Sequence, residues 1–491
     1  MSALLDLIKK NEDINNRDEK LRYVEKMKHQ IQQKPISDIV DDQGNQYVDL
    51  VLEGGAIWGI ALIGYIYTLE KAGIRFLNLA GTSAGAINAM LLAALGQASQ
   101  PKGHELVNIF SEMDFNSFID GGKVARNLLD DIKDEASLYK IFSKLAWLWT
   151  KGKFRGDTLG INSGDVFDEW LETTLEGEKC QLHTTADLFQ KLKNENLKIR
   201  EEANRDADKV RFEENFKVNH LAIIAADITT ESKIVFPEMG YLYWDNPLDT
   251  HPKDYVRASM SIPLVFKPVK IEPLPKNREM HWRILTGYQG KVPEKVYLVD
   301  GGVISNFPID VFHVNDVIPL CPTFGVKLGV DRKQERKIKD ILDFGKALID
   351  TVTNNSDYSF LFQNEDYSKL IAYVDTSVPY KPEKQHGKPN FLQKIIHKLN
   401  QPESEKFSAL DFNMSDEKKA ALFALGEKTA YEFICGNDLY HNTLGQAQLA
   451  NGAICPFNWE EYKQLREKLI VTNTDLYKRK KAQRKEKSLF P

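Results

Sequence analysis

Cysteine is scarce in this sequence, with four residues in 491, and no two of them form a C-x-x-C pair. Their wide spacing argues against a disulfide framework and against a cysteine zinc site. We therefore expect reduced, buried thiols. The four are Cys180, Cys321, Cys435 and Cys455.

Long hydrophobic runs are also missing. No segment approaches the roughly 18 consecutive apolar residues that a membrane-spanning helix needs. The first residues, Met1 to Lys10, show neither the apolar centre nor the cleavage site of a signal peptide. These absences predict a cytoplasmic protein, peripheral on membranes at most, or one exported by a route that the sequence does not show.

Nucleotide, metal and nucleic-acid signals are absent as well. The sequence has no G-x-G-x-x-G and no G-K-[ST] pattern, and its ten histidines never fall in H-x-x-x-H spacing. The formal net charge of −5 gives no overall signature of nucleic-acid binding. We expect no metal, no cofactor and no nucleic-acid partner, although residues 478–487 hold seven basic side chains.

Residues 48–95 carry the strongest pattern in the chain. An apolar run leads into a glycine turn at Gly54, Gly55 and Gly59, then a helix-like stretch, then a second apolar run that ends at Gly81. An alanine- and leucine-rich stretch, a good helix former, follows Ser83. This alternation predicts a parallel sheet with helices on its faces.

Ser83 lies between Gly81 and Gly85 on the predicted strand-to-helix turn. Small flanking residues let such a turn adopt a strained conformation that presents the serine Oγ at the sheet edge. The helix N-terminus behind the serine can stabilise a developing oxyanion. G-x-S-x-G occurs often by chance, but here the strand before it and the helix after it are both predicted.

A third motif, Asp300-Gly301-Gly302, follows a short apolar strand. Taken alone it would be an ordinary turn, and Gly54-Gly55 alone could be a tight turn or a phosphate cradle. Together with Ser83 they supply the parts that ester hydrolysis needs: a nucleophile, a base and backbone donors for the oxyanion. Asp300 would need a raised pKa to act as a base without an imidazole, and burial can provide it.

These motifs, in this order, resemble the patatin-like phospholipase family, and residues 256–268 are similar to a further segment of that family. The resemblance spans roughly residues 48–435. It implies a three-layer α/β/α fold with a mostly parallel sheet, a helical N-terminal arm and insertions. It also implies a Ser83–Asp300 dyad and an oxyanion loop of Gly54, Gly55 and Ala56, with supporting glycines. The supporting positions are Gly59, Gly81, Gly85, Gly301 and Gly302.

The implied activity is that of a phospholipase A type enzyme, which cleaves carboxylic ester bonds of phospholipids or lysophospholipids through an acyl-enzyme. One departure stands in the first motif, where the family usually has a third glycine and a basic residue and this chain has Ala56 and Trp58. Because its Cβ disfavours positive φ, we expect Ala56 to be right-handed or extended, or the loop to be formed differently.

Two alternatives remain open. An α/β-hydrolase with a Ser-Asp-His triad shares the serine motif and would take a histidine after Asp300. A catalytically silent lipid-binding scaffold is the other, supported by Ala56 and Trp58. Arg257 and Ser259 are read as a packed loop ion pair rather than as substrate contacts. The candidate triad histidines are His313, His386, His397 and His441.

The remaining segments suggest an outline of the domain organisation and of membrane contact. Residues 138–155 combine Phe142, Trp147, Trp149 and Phe154 with five cations, which suits either a membrane interface or a cap over an acyl pocket. Basic segments near 391–399 and 478–487 could add attraction to anionic lipid.

The predicted units are an arm at 1–46, a catalytic domain at 47–436 with insertions at about 102–160, 191–216, 270–294 and 379–407, and an extension at 437–491.

Overall fold

The structure is a computed structural model. It describes residues 17–123, 125–126, 159–194, 196–200, 212, 216–329, 335, 338, 341–378, 380, 407–436 and 456–472. The strands, helices and contacts described below all belong to these residues.

Twelve strands build two sheets. Ten belong to the central sheet, whose main path runs β12-β11-β2-β3-β6-β10-β9; β1, β5 and β7 pair beside that path, and β4 pairs with β8 in a separate two-stranded sheet. The strands are β1 (Ile39–Val40), β2 (Gln46–Leu52), β3 (Ile74–Thr82), β4 (Gly160–Asn162), β5 (Lys198–Ile199), β6 (Leu221–Asp227), β7 (Ser232–Phe236), β8 (Leu264–Phe266), β9 (Val269–Ile271), β10 (Val296–Asp300), β11 (Thr323–Leu328) and β12 (Ile371–Val374).

The helices pack around the central sheet. They are α1 (Arg17–Gln33), α2 (Gly59–Lys71), α3 (Ala84–Ala94), α4 (Gly103–Glu112), α5 (Asp165–Glu176), α6 (Thr185–Lys191), α7 (Lys253–Ser259), α8 (Glu279–Thr286), α9 (Ile341–Gln363), α10 (Asp416–Cys435) and α11 (459–472). The Ser415 hydroxyl caps α10 by accepting a hydrogen bond from the Lys418 N–H.

The middle of the sheet is parallel, since β12, β11, β2, β3 and β6 all run in one direction. Every residue of β2 and of β6 is buried, as expected where helices cover both faces of a parallel sheet. We call the side of the sheet at which β2 and β3 end the carboxyl edge, and the opposite side the amino edge.

Strand β10 runs antiparallel to β6 and therefore returns toward the amino edge. Its register brings Asp300 opposite Ala225, while Thr82, the last residue of β3, pairs with Ile224 on the other side of β6. The residue after Thr82 therefore lies at the level of Asp300, with β6 between them. Two segments 217 residues apart in sequence contribute to one point on the carboxyl edge.

The predicted α/β/α architecture with a mostly parallel central sheet is confirmed. As predicted, α3 begins directly after Ser83. The predicted insertion at about 191–216 contributes to the sheet, because Ile199 pairs with Ile39. The division into arm, catalytic domain and extension stays a prediction. No helix in the described ranges combines the length and the apolarity that crossing a membrane requires.

Candidate active site

Ser83 occupies a sharp turn between β3 and α3 with φ 53° and ψ −119°. A non-glycine residue held at positive φ stores strain, which is common at functional sites. The neighbouring glycines make room for the turn, since a Cβ at Gly81 would collide with the Gly85 backbone and one at Gly85 with the Leu52 carbonyl. The Ser83 N–H donates to the Ser259 hydroxyl at 3.0 Å.

Asp300 ends β10 and lies beside Ser83, whose hydroxyl is close enough to lower the pKa of the Asp300 carboxyl. One carboxylate oxygen accepts a hydrogen bond from the Gly302 N–H at 2.7 Å. Burial is the larger effect and raises the pKa of Asp300 to about 6. A carboxylate of this kind can accept a proton near neutral pH.

The glycine turn packs directly against the nucleophile. A Cβ at Gly54 would lie 3.2 Å from the Ser83 Cβ and would collide with the Asn306 side chain. Gly54 donates its N–H to the Asn306 carbonyl at 3.0 Å, and the Asn306 amide donates back to the Gly54 carbonyl at 3.1 Å. The Gly54 N–H is therefore already engaged within the fold.

Ala56 has a φ of 45°, so the expectation that it avoids positive φ is wrong. This conformation costs an alanine roughly 1–2 kcal/mol. The backbone is fixed at the next residue, because the Ile57 N–H donates to the Ala409 carbonyl at 3.2 Å. Within the described residues, the N–H groups of Gly55 and Ala56 have no acceptor. They are available to a ligand beside Ser83.

Two buried carboxylates support the motifs from behind, and neither was singled out in the sequence. Asp357 of α9 accepts from the Ser305 hydroxyl at 2.7 Å and from the Phe307 N–H at 2.8 Å. It thereby holds both neighbours of Asn306. The Ser305 carbonyl in turn accepts from the Thr82 hydroxyl at 3.0 Å, next to the nucleophile.

The second supporting carboxylate is Glu53, which precedes the glycine turn and pairs with Lys327 of β11 at 2.9 Å. The side chains of both residues are almost fully buried, at 5% and 1% exposure. A buried pair of this kind tolerates loss of one partner poorly, because the other charge is left uncompensated. Glu53 therefore ties the start of the turn to β11.

In the described part of the chain, Arg257 bonds to two carbonyls and a hydroxyl instead of forming the predicted loop ion pair. Its guanidinium donates to the Ser163 carbonyl at 2.7 Å, to the Lys267 carbonyl at 3.3 Å and to the Ser261 hydroxyl. Since the Ser261 carbonyl accepts from the Asp300 N–H at 2.9 Å, Arg257 holds the segment on which the Asp300 backbone rests. Ser259 contacts the Ser83 backbone instead of a charge.

The histidine needed for a Ser-Asp-His triad is not found beside Asp300 in the described part of the chain. His313 places its two ring nitrogens 3.0 Å from the Tyr367 hydroxyl and 3.1 Å from the Asn315 side-chain oxygen. His386, His397 and His441 lie outside the described residues, as do residues 138–155 and the segments 391–399 and 478–487.

Three of the four cysteines lie in the described residues. Cys180, Cys321 and Cys435 are free thiols, and Cys455 lies outside the described residues. No group of three or more His, Cys, Asp or Glu side chains in the described ranges is arranged to hold a metal ion.

A sequence model of the patatin-like phospholipase family matches residues 50–313, which is more than half of the chain. The chain belongs to this family. The resemblance drawn from the motifs is thereby confirmed, and the patatin-like match contains both Ser83 and Asp300. Membership makes the protein a lipid-ester hydrolase.

Individual relatives of this patatin-like chain are distant. The uncharacterized protein YqhO of Bacillus subtilis (strain 168) is 27% identical over 396 residues, which cover 79% of this chain and 98% of that protein. VipD from Legionella pneumophila is a solved structure with 14% identity and a TM-score of 0.33, covering 81% of this chain and 69% of VipD. The ExoU–SpcU complex of the Pseudomonas aeruginosa type III secretion system gives 14% identity, a TM-score of 0.24, and coverages of 78% and 52%. At these TM-scores the two structures add nothing to the assignment.

Proposed function

We propose that this protein cleaves carboxylic ester bonds of phospholipids or lysophospholipids through a Ser83–Asp300 dyad and an acyl-enzyme. The observation that carries the proposal is the placement of the Ser83 hydroxyl beside a buried Asp300 carboxylate whose pKa burial raises to about 6. A hydroxyl next to a base of that pKa is poised for proton transfer as it attacks an ester.

In the first half-reaction, Ser83 Oγ bonds to the ester carbonyl carbon while its proton moves to Asp300. The carbonyl oxygen becomes an oxyanion, for which the N–H groups of Gly55 and Ala56 are the assigned donors because the Gly54 N–H already binds Asn306. Collapse of the tetrahedral intermediate breaks the ester bond. The departing alkoxide takes the proton from Asp300 and leaves as an alcohol.

In the second half-reaction, a water molecule attacks the acyl-enzyme and gives its proton to Asp300. The second tetrahedral intermediate collapses, the fatty acid leaves, and the proton returns to Ser83 Oγ. Asp300 thus ends each cycle ionised, as it began, and no cofactor takes part in this scheme.

A fluorophosphonate probe tests the nucleophile directly. The full-length protein should be labelled at Ser83, and Ser83→Ala should not be labelled. Absence of labelling in the unchanged protein would instead favour the silent lipid-binding scaffold. Mass spectrometry of products from mixed phospholipid vesicles would then identify the head group and the position of the cleaved chain.

Membrane contact through residues 138–155 remains part of this proposal. Its support is composition alone, because the segment lies outside the described residues. In vesicle flotation, Trp147→Ala/Trp149→Ala should bind anionic vesicles more weakly at unchanged melting temperature. A lower melting temperature with persisting vesicle binding would place the two tryptophans in the core.

A further inference from the structure

Helix α8 exposes two large apolar side chains, Met280 and Ile284, each at 71%. Among the described large apolar residues, only Phe362 is more exposed. The two are four residues apart and so lie one above the other on the same helix face. Trp282, two residues from each, points to the other side and is fully buried.

Trp282 fixes the helix to the fold. Its ring makes edge contacts with Tyr243 at 5.4 Å and with Tyr288 at 6.0 Å between ring centroids. The Tyr243 hydroxyl donates to the carboxylate of Asp227, the last residue of β6, at 3.1 Å. The exposed face of α8 is therefore held rigidly, at little further entropic cost on binding.

A third exposed ring lies beside α8. Tyr241 is 40% exposed, and its ring lies between His281 at 4.9 Å and the Arg278 guanidinium at 3.7 Å. Arg278 also donates to the carbonyls of Tyr241 and Trp244. A tyrosine held in this way suits the head-group depth of a bilayer.

The strand register places α8 at the carboxyl edge. Asp300 pairs with Ala225, and Leu298 pairs with Asp227, so the Asp227 end of β6 extends two residues, about 7 Å, beyond the level of the dyad. Residues 272–295, which contain α8, leave the sheet after Ile271 and return at Val296, and these two residues pair with each other beyond the level of Asp227. Helix α8 therefore belongs to a connection on the side of the sheet where Ser83 is found.

The charge around α8 differs in sign from that of the whole protein. Residues 276–295 contain five cationic side chains and two carboxylates, whereas the complete chain has a formal net charge of −5. Four of these cations, Lys276, Arg283, Lys291 and Lys295, are exposed. Exposed apolar residues among cations are the composition that anionic lipid surfaces attract.

We infer that Tyr241, Met280 and Ile284, with the four exposed cations, form a docking surface for an anionic phospholipid bilayer, here called the α8 surface. The apolar face enters the head-group region while the cations contact lipid phosphates, and this brings the carboxyl edge to the membrane. A second copy of the chain is disfavoured as occupant, because a two-fold contact would place these cations against each other. The inference rests on the proposed function, since it delivers Ser83 to its lipid.

Vesicle flotation of the full-length protein in a Ser83→Ala background tests the α8 surface without hydrolysis of the lipid. Vesicles of phosphatidylcholine alone are compared with vesicles that also contain phosphatidylglycerol. Met280→Ser/Ile284→Ser should weaken binding to the anionic vesicles about tenfold or more, from the lost apolar burial. Lys276→Ser/Lys291→Ser should weaken it about fivefold per cation at low salt, and should not change binding to phosphatidylcholine alone.

Val314→Ser is the matched control, because Val314 is 62% exposed and belongs to the loops that precede β11 at the amino edge. It should bind like the parent. Equal binding of the parent and Met280→Ser/Ile284→Ser to anionic vesicles, at equal melting temperatures, would overturn the inference. So would a change from dimer to monomer in that variant with vesicle binding unaltered, which would make the surface an interface between copies.

Failure of the proposed function would look different. Fluorophosphonate labelling uses a soluble probe, so Met280→Ser/Ile284→Ser with Ser83 intact should be labelled at the rate of the unchanged protein. Absence of labelling in both would refute the dyad and leave the flotation result to be judged by itself. Labelling lost in the variant alone would refute a role confined to docking.

Discussion

Asp300 at the carboxyl edge and two buried aspartates at the amino edge have different kinds of partner. The Asp300 carboxylate accepts from the Gly302 N–H and lies beside the Ser83 hydroxyl, both uncharged groups. At the amino edge, Asp38 pairs with Lys463 at 3.1 Å and Asp366 with Arg466 at 3.5 Å. Both cations come from α11, so these pairs attach a C-terminal helix to the sheet.

The kind of partner distinguishes the aspartates that attach one element to another from the aspartate proposed to act in catalysis. Burial raises the pKa of both Asp366 and Asp300, but at Asp366 the Arg466 cation opposes the rise, whereas at Asp300 only neutral groups oppose it. An aspartate among neutral groups is the better candidate to accept a proton. Asp357 is an intermediate case. It accepts from a hydroxyl and a backbone N–H, but the hydroxyl is that of Ser305, which is not the proposed nucleophile. The following changes test whether the two edges differ in this way.

The largest effect is expected at the dyad. Ser83→Ala and Asp300→Asn should each abolish ester hydrolysis, and the double variant should be no worse than either, because the two residues act as a unit. Turnover of a chromogenic ester and labelling at Ser83 measure this. Substantial activity in Asp300→Asn, together with loss on changing one histidine, would move the assignment to a triad.

Stability should separate Asp300 from a structural carboxylate. Because its folded pKa is raised to about 6 from 3.8, the folded state binds the proton more tightly, and stability is lost as pH rises through this interval. Asp300→Asn removes that penalty and should melt no lower than the parent at pH 8. Asp366→Asn, which leaves Arg466 without its partner, should melt lower.

A further large effect on turnover is expected in the oxyanion loop. Gly55→Val should reduce turnover by about two to three orders of magnitude, as when one oxyanion donor is lost, since a Cβ there would lie 2.5 Å from Leu328 Cδ1 and displace the loop. Gly55→Val/Leu328→Ala serves as the control that makes room for the side chain and should recover part of the activity. Turnover unchanged in Gly55→Val would exclude this loop as the oxyanion hole.

Asp357 and Asp366 allow a direct comparison of the edges. Asp357→Asn should lower kcat about tenfold with KM little changed, because Asn306 and the Gly54 turn lose their support and one donor is misplaced. Asp366→Asn, matched in chemistry and burial, should leave kcat unchanged in the folded enzyme. Thr82→Val combined with Asp357→Asn should be less than additive, since both act through Ser305. Equal losses from both aspartates would show only general destabilisation.

Local sequence was sufficient for the fold and for the parts of the site that are contiguous. The glycines around Ser83 and the strand before Asp300 carry their own structural signals, and both residues lie where these signals put them. Asn306 and Asp357 could not be found in this way. Asn306 meets Gly54 across 252 residues, and Asp357 meets Phe307 across 50, so only the folded topology joins them.

The expectation for the backbone of Ala56 was wrong for a different reason. Its intrinsic preference is against positive φ, but packing of the next residue on Ala409 overrides it. Propensity measures a cost of one or two kcal/mol, which a tertiary contact can supply. The exposed face of α8 was missed likewise, since residues 270–294 read as a polar insertion and Trp282 is its buried anchor.

The pH profile should show the raised pKa at the carboxyl edge. Asp300 must be ionised to accept the Ser83 proton, so kcat/KM should rise with pH through about 6 and be about tenfold below its plateau at pH 5. If the pKa of Asp300 were the ordinary value of 3.8, kcat/KM at pH 5 would stay close to its plateau. Burial also raises the pKa of Asp357 to about 6, so the profile is repeated in Asp357→Asn. If the fall in kcat/KM at low pH persists in Asp357→Asn, it reports the pKa of Asp300. If the fall disappears in that variant, it reports the pKa of Asp357.

The smallest effect concerns Ala56, where strain lies next to the nucleophile. Ala56→Gly should raise the free energy of unfolding by at most about 1 kcal/mol, because relief of the φ of 45° is offset by the greater freedom of glycine in the unfolded chain. Turnover should stay within about twofold, since the N–H of residue 56 is kept. Urea unfolding and ester turnover measure the two quantities. A large loss of turnover at unchanged stability would mean that the alanine methyl group itself holds the oxyanion loop in place, and that the departure from the family pattern is an adaptation of this chain.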